Sequence, residues 1–214
     1  MSEISIKPQQ ELPFAFTGKG GEYFKIWIVN MLLTIITLGV YSAWATVRTN
    51  RYFYGNTVVD QASFEYHATP LQILKSRLVA LVLFIFYALI LEFFPSIGAA
   101  LALALFLIMP WIVRNGFYFK AFMSSYRNVR FGFSGTVKSA YWILLGLPAL
   151  VILVAAVIGV GLFIVIPSVE IAGFLAAIVT VLGFYSIAPY EQKLITDYYM
   201  NNTHYGQGRF SADL

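Results

Sequence analysis

The 214-residue chain is 59% hydrophobic and 11% charged, with a formal net charge of +4 and no cysteine. Soluble domains carry about 25% charged residues, so this much apolar surface has to be solvated by a bilayer. Without cysteine there are no disulfides, no thiol catalysis and no cysteine-ligated metal.

Residues 1–13 form a polar tail with Pro8 and Pro13. It lacks the basic start, apolar core and small-residue cleavage site of a secretory signal, so insertion is expected to rely on internal helices. Five apolar segments follow, at 24–47, 76–94, 97–113, 141–166 and 171–188. Two short turns, EFFPSIG at 92–98 and IPSVE at 166–170, each contain a proline and join the later four segments into antiparallel hairpins. Ten-residue alternation of the β-barrel kind is absent. The predicted fold is an all-α polytopic integral membrane protein, a bundle of helical hairpins built from repeated units.

Small residues recur four apart, as in Gly98/Ala102, Ala155/Gly159 and Ala172/Ala176. Such spacing lets helix backbones approach closely, although membrane-helix composition alone also supplies it.

A short pattern repeats at Phe14 (FAFTGK), Phe64 (FEYHATP), Phe131 (FGFSGTV) and, in part, Phe210 (FSADL). Alternating aromatics over so few residues predict short extended segments leading into helices. RYFYGNT at 51–57 aligns with DYYMNNT at 197–203. The expected organisation is therefore a tail at 1–13, a membrane domain at 14–190 with units opening near 14, 64 and 131, and a basic, aromatic cytoplasmic tail at 191–214.

FTGKGGEYFKIWIVNMLLTIITLGVYSAW, followed by RYFYGNT and FEYHAT, resembles the YjgN-like family of bacterial inner-membrane proteins. The resemblance spans most of the chain and is strongest over 14–70. It implies an inner-membrane location and no reaction. Members of that family are longer, and the fourth aromatic motif opens a unit with no helix behind it, as expected of a shortened member or a fragment.

Of the 14 lysines and arginines, none lies in either short turn. They gather before or at the start of the first segment, in the 48–77 and 114–138 loops, and after residue 190. Short loops rich in Lys and Arg stay cytoplasmic, which puts the long loops and the C-terminal tail on that side. Two readings of residues 24–47 stand. As a plain span, about 36 Å of helix crosses the bilayer and leaves the N-terminal motif outside. As a re-entrant segment breaking near Gly39, it returns the motif at Phe14 to the side of those at Phe64 and Phe131.

Asn30, Thr34, Thr37 and Tyr41 fall at helical spacing in the first segment, and would either line a polar pathway or hydrogen-bond neighbouring helices. Arg48, Arg51, Arg114, Lys120 and Lys193 stand among tyrosines and phenylalanines at helix ends. They are candidate contacts for anionic lipid head groups, or else topology anchors within an aromatic belt.

His67 and His204 have no acidic neighbour at metal spacing, and Asp60, Glu65 and Asp197 read as solvated. No catalytic motif, metal site or cofactor is expected, and no enzyme. The helix centres hold no Asp, Glu, Lys, Arg or His, which lowers the expectation of ion coupling. Two functions remain: permeation of a small solute or lipid, and a non-catalytic scaffold that interacts with anionic lipid. The expected partners are the bilayer, anionic lipids and a second copy of the chain in a homo-oligomer; nucleic acid is not among them.

Overall fold

A computed structural model describes residues 12–212. They form two compact units, one from the residues up to Tyr87 together with Met123–Arg130, the other from Ala88–Phe122 and the residues from Phe131 onward.

In the first unit, strand β1 (Phe14–Phe16) leads into helix α1 (Gly20–Ile36), which turns back into α2 (Ser42–Asn56). Strands β2 (Thr57–Val59) and β3 (Ala62–Tyr66) follow, and then the start of α3 (Pro70–Phe93). β1 and β2 pair antiparallel, Phe14 opposite Val59 and Phe16 opposite Thr57. β3 pairs with β4 (Ser124–Tyr126), Phe64 opposite Tyr126 and Tyr66 opposite Ser124. The second unit holds α4 (Pro95–Phe122), α5 (Val137–Val165), α6 (Val169–Asn201) and the strands β6 (Thr203–Tyr205) and β7 (Gly208–Arg209). Here β6 pairs with the end of β5 (Val129–Phe133), Phe131 opposite Tyr205 and Phe133 opposite Thr203.

The chain is mostly helical as expected, with α5 packed on α6, but an all-α fold does not hold: short antiparallel strands connect the helices. Each strand hairpin turns in two residues. Asp60 and Gln61 have φ of 44° and 61°, and Arg127 and Asn128 have 46° and 66°. Two left-handed residues in succession make the type I′ turn, whose twist suits a tight hairpin.

A single helix over 24–47 is likewise excluded, because α1 stops at Ile36. Leu38 is left-handed at φ 49°, and the chain closes a Schellman motif there: the Leu38 N–H donates to the Ile35 carbonyl and Gly39 N–H to the Thr34 carbonyl at 2.8 Å. Gly39 then takes φ +92° with open space around its Cα. A Gly39→Ala variant should therefore lose about 1–2 kcal/mol through backbone strain alone, read as a lower thermal midpoint in detergent.

Among the described residues four helices are long and apolar enough to cross a membrane: α3, α4, α5 and α6. α3 buries no residue, and its leucines, valines and phenylalanines face outward. α4 and α6 run on past the ends read from sequence, carrying Pro110 and Pro189 inside them. Residues 191–201, expected in a tail, are the last turns of α6. Within α5, Trp142–Gly146 is a wider π-helical stretch. It lies just ahead of Pro148, whose missing N–H leaves the preceding turn without a donor.

α5 and α6 pack through small residues. Ala155, Gly159 and Ala172 are buried, and a Cβ on Gly159 would lie 3.4 Å from that of Ala176. Close backbone approach is thus what these small residues provide. The core of this unit gathers Ala121, Phe133, Ala140, Ile143 and Tyr198.

Candidate functional site

The reversal at Leu38–Gly39 lays α2 back along α1, and a groove of about 470 Å³ runs between them. Trp27, Met31 and Ile35 give it one apolar wall; Ser42, Thr46 and Thr49 line the returning helix. The hydroxyls are largely engaged. Thr34 Oγ1 donates to the Asn30 carbonyl at 2.6 Å, and Thr46 Oγ1 to the Ser42 carbonyl at 2.9 Å. Arg77, from α3, donates through Nη1 to Ser42 Oγ and through Nη2 to Thr46 Oγ1 at 3.0 Å. Asn50 is bonded to the Tyr66 hydroxyl; burial pushes that phenol up, and the Asn50 bond partly offsets it.

Asn30 differs from all of these. Its side chain lines the groove, the residue is only 5% exposed, and neither Nδ2 nor Oδ1 has a partner among the described residues. A buried amide without a bond costs about 1–3 kcal/mol.

Of the predicted polar face, the structure therefore keeps Asn30 and Thr34 together and separates Thr37 and Tyr41. Thr37 Oγ1 donates to the Leu33 carbonyl at 2.7 Å and accepts from the Tyr41 N–H at 2.9 Å, so it knits the turn. Tyr41 stacks on Trp44. Among the described residues, the side-chain bonds of Thr34 and Thr37 run to nearby backbone within the 30–41 segment. Sequence spacing could not reveal Ser42, Thr46, Thr49 or Arg77, because only the reversal brings them to Asn30.

The cations divide by environment. Arg48 and Arg51 are exposed on α2, and Lys193 on α6, with no ion pair among the described residues. Arg114 is held: its Nε donates to the Gly135 carbonyl at 3.1 Å and its guanidinium lies 5.7 Å over the Tyr118 ring. Lys120 sits 5.3 Å over the Tyr199 ring. The aromatics beside them are mostly structural. Tyr52 donates to the Lys19 carbonyl, Phe53 stacks on Phe16, and Tyr198 donates to the Thr136 carbonyl while packing on Phe133.

Of the three acidic residues read as solvated, Asp60 and Glu65 are exposed but paired, and Asp197 is partly buried. Asp60 pairs with Arg127 between two hairpin turns. One oxygen of Asp197 is buried without a partner among the described residues. Glu65 Oε2 lies 3.5 Å from His67 Nε2, so that histidine does have an acidic neighbour. Ser125 Oγ is 2.7 Å from the same His67 nitrogen. A catalytic relay needs the carboxylate on the other ring nitrogen and an accessible hydroxyl. Ser125 is 1% exposed, and both contacts share Nε2, so this is a polar brace between β3 and β4.

Membrane-length helices joined by short paired strands define a polytopic helical membrane protein. Residues 11–214 match the family described as bacterial protein of unknown function (DUF898), and the chain belongs to it. The inner membrane protein YjgN of Salmonella typhimurium is 33% identical over 217 residues, covering 99% of this chain and 54% of that one. YjgN of Escherichia coli K12 is 34% identical over 212 residues, covering 94% and 52%. The chain thus spans about half the length of the curated relatives it matches. No solved structure matches it. With relatives of the inner membrane and four membrane-length helices, it is a multi-pass bacterial inner-membrane protein.

Proposed function

We propose that the protein passes a small solute or lipid across the inner membrane, with the α1–α2 hairpin as a re-entrant element at the route. The supporting observation is Asn30, a buried amide without a partner, facing a groove beside a chain reversal. At about 25 and 22 Å, neither arm of the hairpin crosses a 30 Å hydrocarbon core, and broken helices of this kind mark substrate sites in many transporters. The proposal includes the sidedness set by the lysines and arginines, with long loops and tail cytoplasmic. It also reads the chain as duplicated units, since β1–β2, β3–β4 and β5–β6 pair in one common register. The test is flux in proteoliposomes, with a fluorescent phospholipid and a panel of small solutes. Protein-dependent movement of either is expected, and none above empty liposomes overturns the reading.

The second reading is a non-catalytic scaffold that contacts anionic lipid. Arg48 and Arg51 favour it, being exposed and without an ion pair among the described residues. Each cation near an anionic surface is worth about 1 kcal/mol, so replacing both with Gln should cut retained cardiolipin roughly ten-fold or more in native mass spectrometry. Unchanged retention excludes those two residues as head-group contacts.

A further inference from the structure

We propose that the α1–α2 groove is a phospholipid site, with the Asn30 amide on the glycerol-ester oxygens, the Arg77 guanidinium on the phosphate, and an acyl chain along Trp27, Met31 and Ile35. This rests on the permeation reading and names its substrate class. The hydroxyls of Thr34 and Thr46 already spend their protons on backbone carbonyls, and Asn50 is bonded to Tyr66. The donors with no bond among the described residues are the two N–H of Asn30, the remaining N–H of Arg77, the Thr49 hydroxyl and the Trp27 indole N–H, and of these the Asn30 amide is the one buried. No Asp or Glu lines the groove, and Arg77 reaches the Ser42 and Thr46 hydroxyls that do, so the charge beside it is positive. A ligand that complements it is rich in acceptors, carries negative charge, and has an apolar part for a wall that faces lipid. Inorganic phosphate has the first two properties and lacks the third. A phospholipid has all three, and the groove's 470 Å³ falls within the size of ordinary ligand pockets.

The buried amide also gives the site a signature that a packing residue lacks. A structural asparagine stabilises the empty protein, whereas an unpaired one destabilises it until its ligand arrives. Leucine at position 30 keeps the branched four-atom outline of the side chain and removes the unpaired polar groups.

The test uses the full chain in detergent, stripped of lipid and titrated with phosphatidylglycerol in native mass spectrometry. Parallel arms contain inorganic phosphate and glycerol 3-phosphate. Asn30→Leu should weaken phosphatidylglycerol binding about five-fold, and Arg77→Gln about ten-fold, with the exposed Lys138→Gln close to wild type. Lipid-free Asn30→Leu should melt at or above wild type. Wild-type binding by Asn30→Leu, or a lower melting point without lipid, overturns the proposal. Displacement of the lipid by either phosphate arm at equal concentration also overturns it, showing a site for the anion alone. Weakened lipid binding in the variant alongside a wild-type protein that moves nothing sustains the site and sinks permeation. Lipid flux that persists in a variant stripped of binding sinks the site.

Discussion

Single cysteines at Leu12 and Ser63 should share one labelling pattern, reacting with an impermeant maleimide only after lysis, while cysteines at Ser96 and Val169 should react in intact cells. The native chain has no cysteine to interfere. The shared pattern follows from backbone pairing within the first unit. Phe14 lies opposite Val59 in β1–β2, and Val58 lies opposite Ser63 in β2–β3, so position 12, just ahead of β1, and position 63, in β3, belong to the two strands that flank β2. Two strands hydrogen-bonded together cannot lie on opposite faces of a bilayer. The direction of the pattern follows from charge. Arg48, Arg51, Lys75 and Arg77 flank Ser63, while the turns holding Ser96 and Val169 have no cation, only Glu92 and Glu170 nearby. The two parts of the prediction fail separately. Reversed accessibility throughout overturns the sidedness and leaves the hairpin standing. Opposite behaviour at Leu12 and Ser63 overturns the hairpin.

The hairpin was also the element that hydropathy could least decide. Residues 24–47 are long enough for one span, and a window average cannot detect one left-handed residue. The local signal was Gly39, and even there the left-handed C′ position is filled by Leu38, which propensity disfavours. The four later helices were legible because outward-facing apolar side chains are what a bilayer demands all round. Their ends were less so. Pro110 and Pro189 look like terminators, yet each removes a single donor from a helix that continues to Phe122 or Asn201. The aromatic motifs showed three extended segments, now β1, β3 and β5, through Phe14/Phe16, Phe64/Tyr66 and Phe131/Phe133. Their partners TVV, SSY and THY were missed, being three residues long and joined by Asp-Gln, Arg-Asn and Gly-Gln turns without the usual Asn-Gly. The site was half legible. Asn30 and Thr34 stood out as polar residues in an apolar run, but Arg77 reaches Ser42 across 35 residues of sequence, a distance no local pattern spans.

Gly98→Ala should destabilise the protein by about 1–3 kcal/mol, and Gly161→Ala should leave it within about 0.5 kcal/mol of wild type. Both glycines lie in membrane-length helices, so composition alone assigns them the same part. Their surroundings differ. A Cβ on Gly98, in the first turn of α4, would stand 2.7 Å from the Leu91 Cα at the end of α3. The neighbour there is main chain and no rotamer change relieves the clash. The helices must separate, losing dispersion contacts that in a bilayer no hydrophobic effect restores. Around Gly161 a Cβ meets nothing within 4 Å, and alanine is the better helix former. For a chain of this length, 2 kcal/mol corresponds to roughly 4–8 °C in thermal midpoint, well within reach of a detergent-based melting assay. Equal midpoints for the two variants would mean that the Pro95 turn does not bring α3 and α4 to backbone contact. A drop confined to Gly98→Ala places the close crossing at that turn, where the small residue is required by geometry.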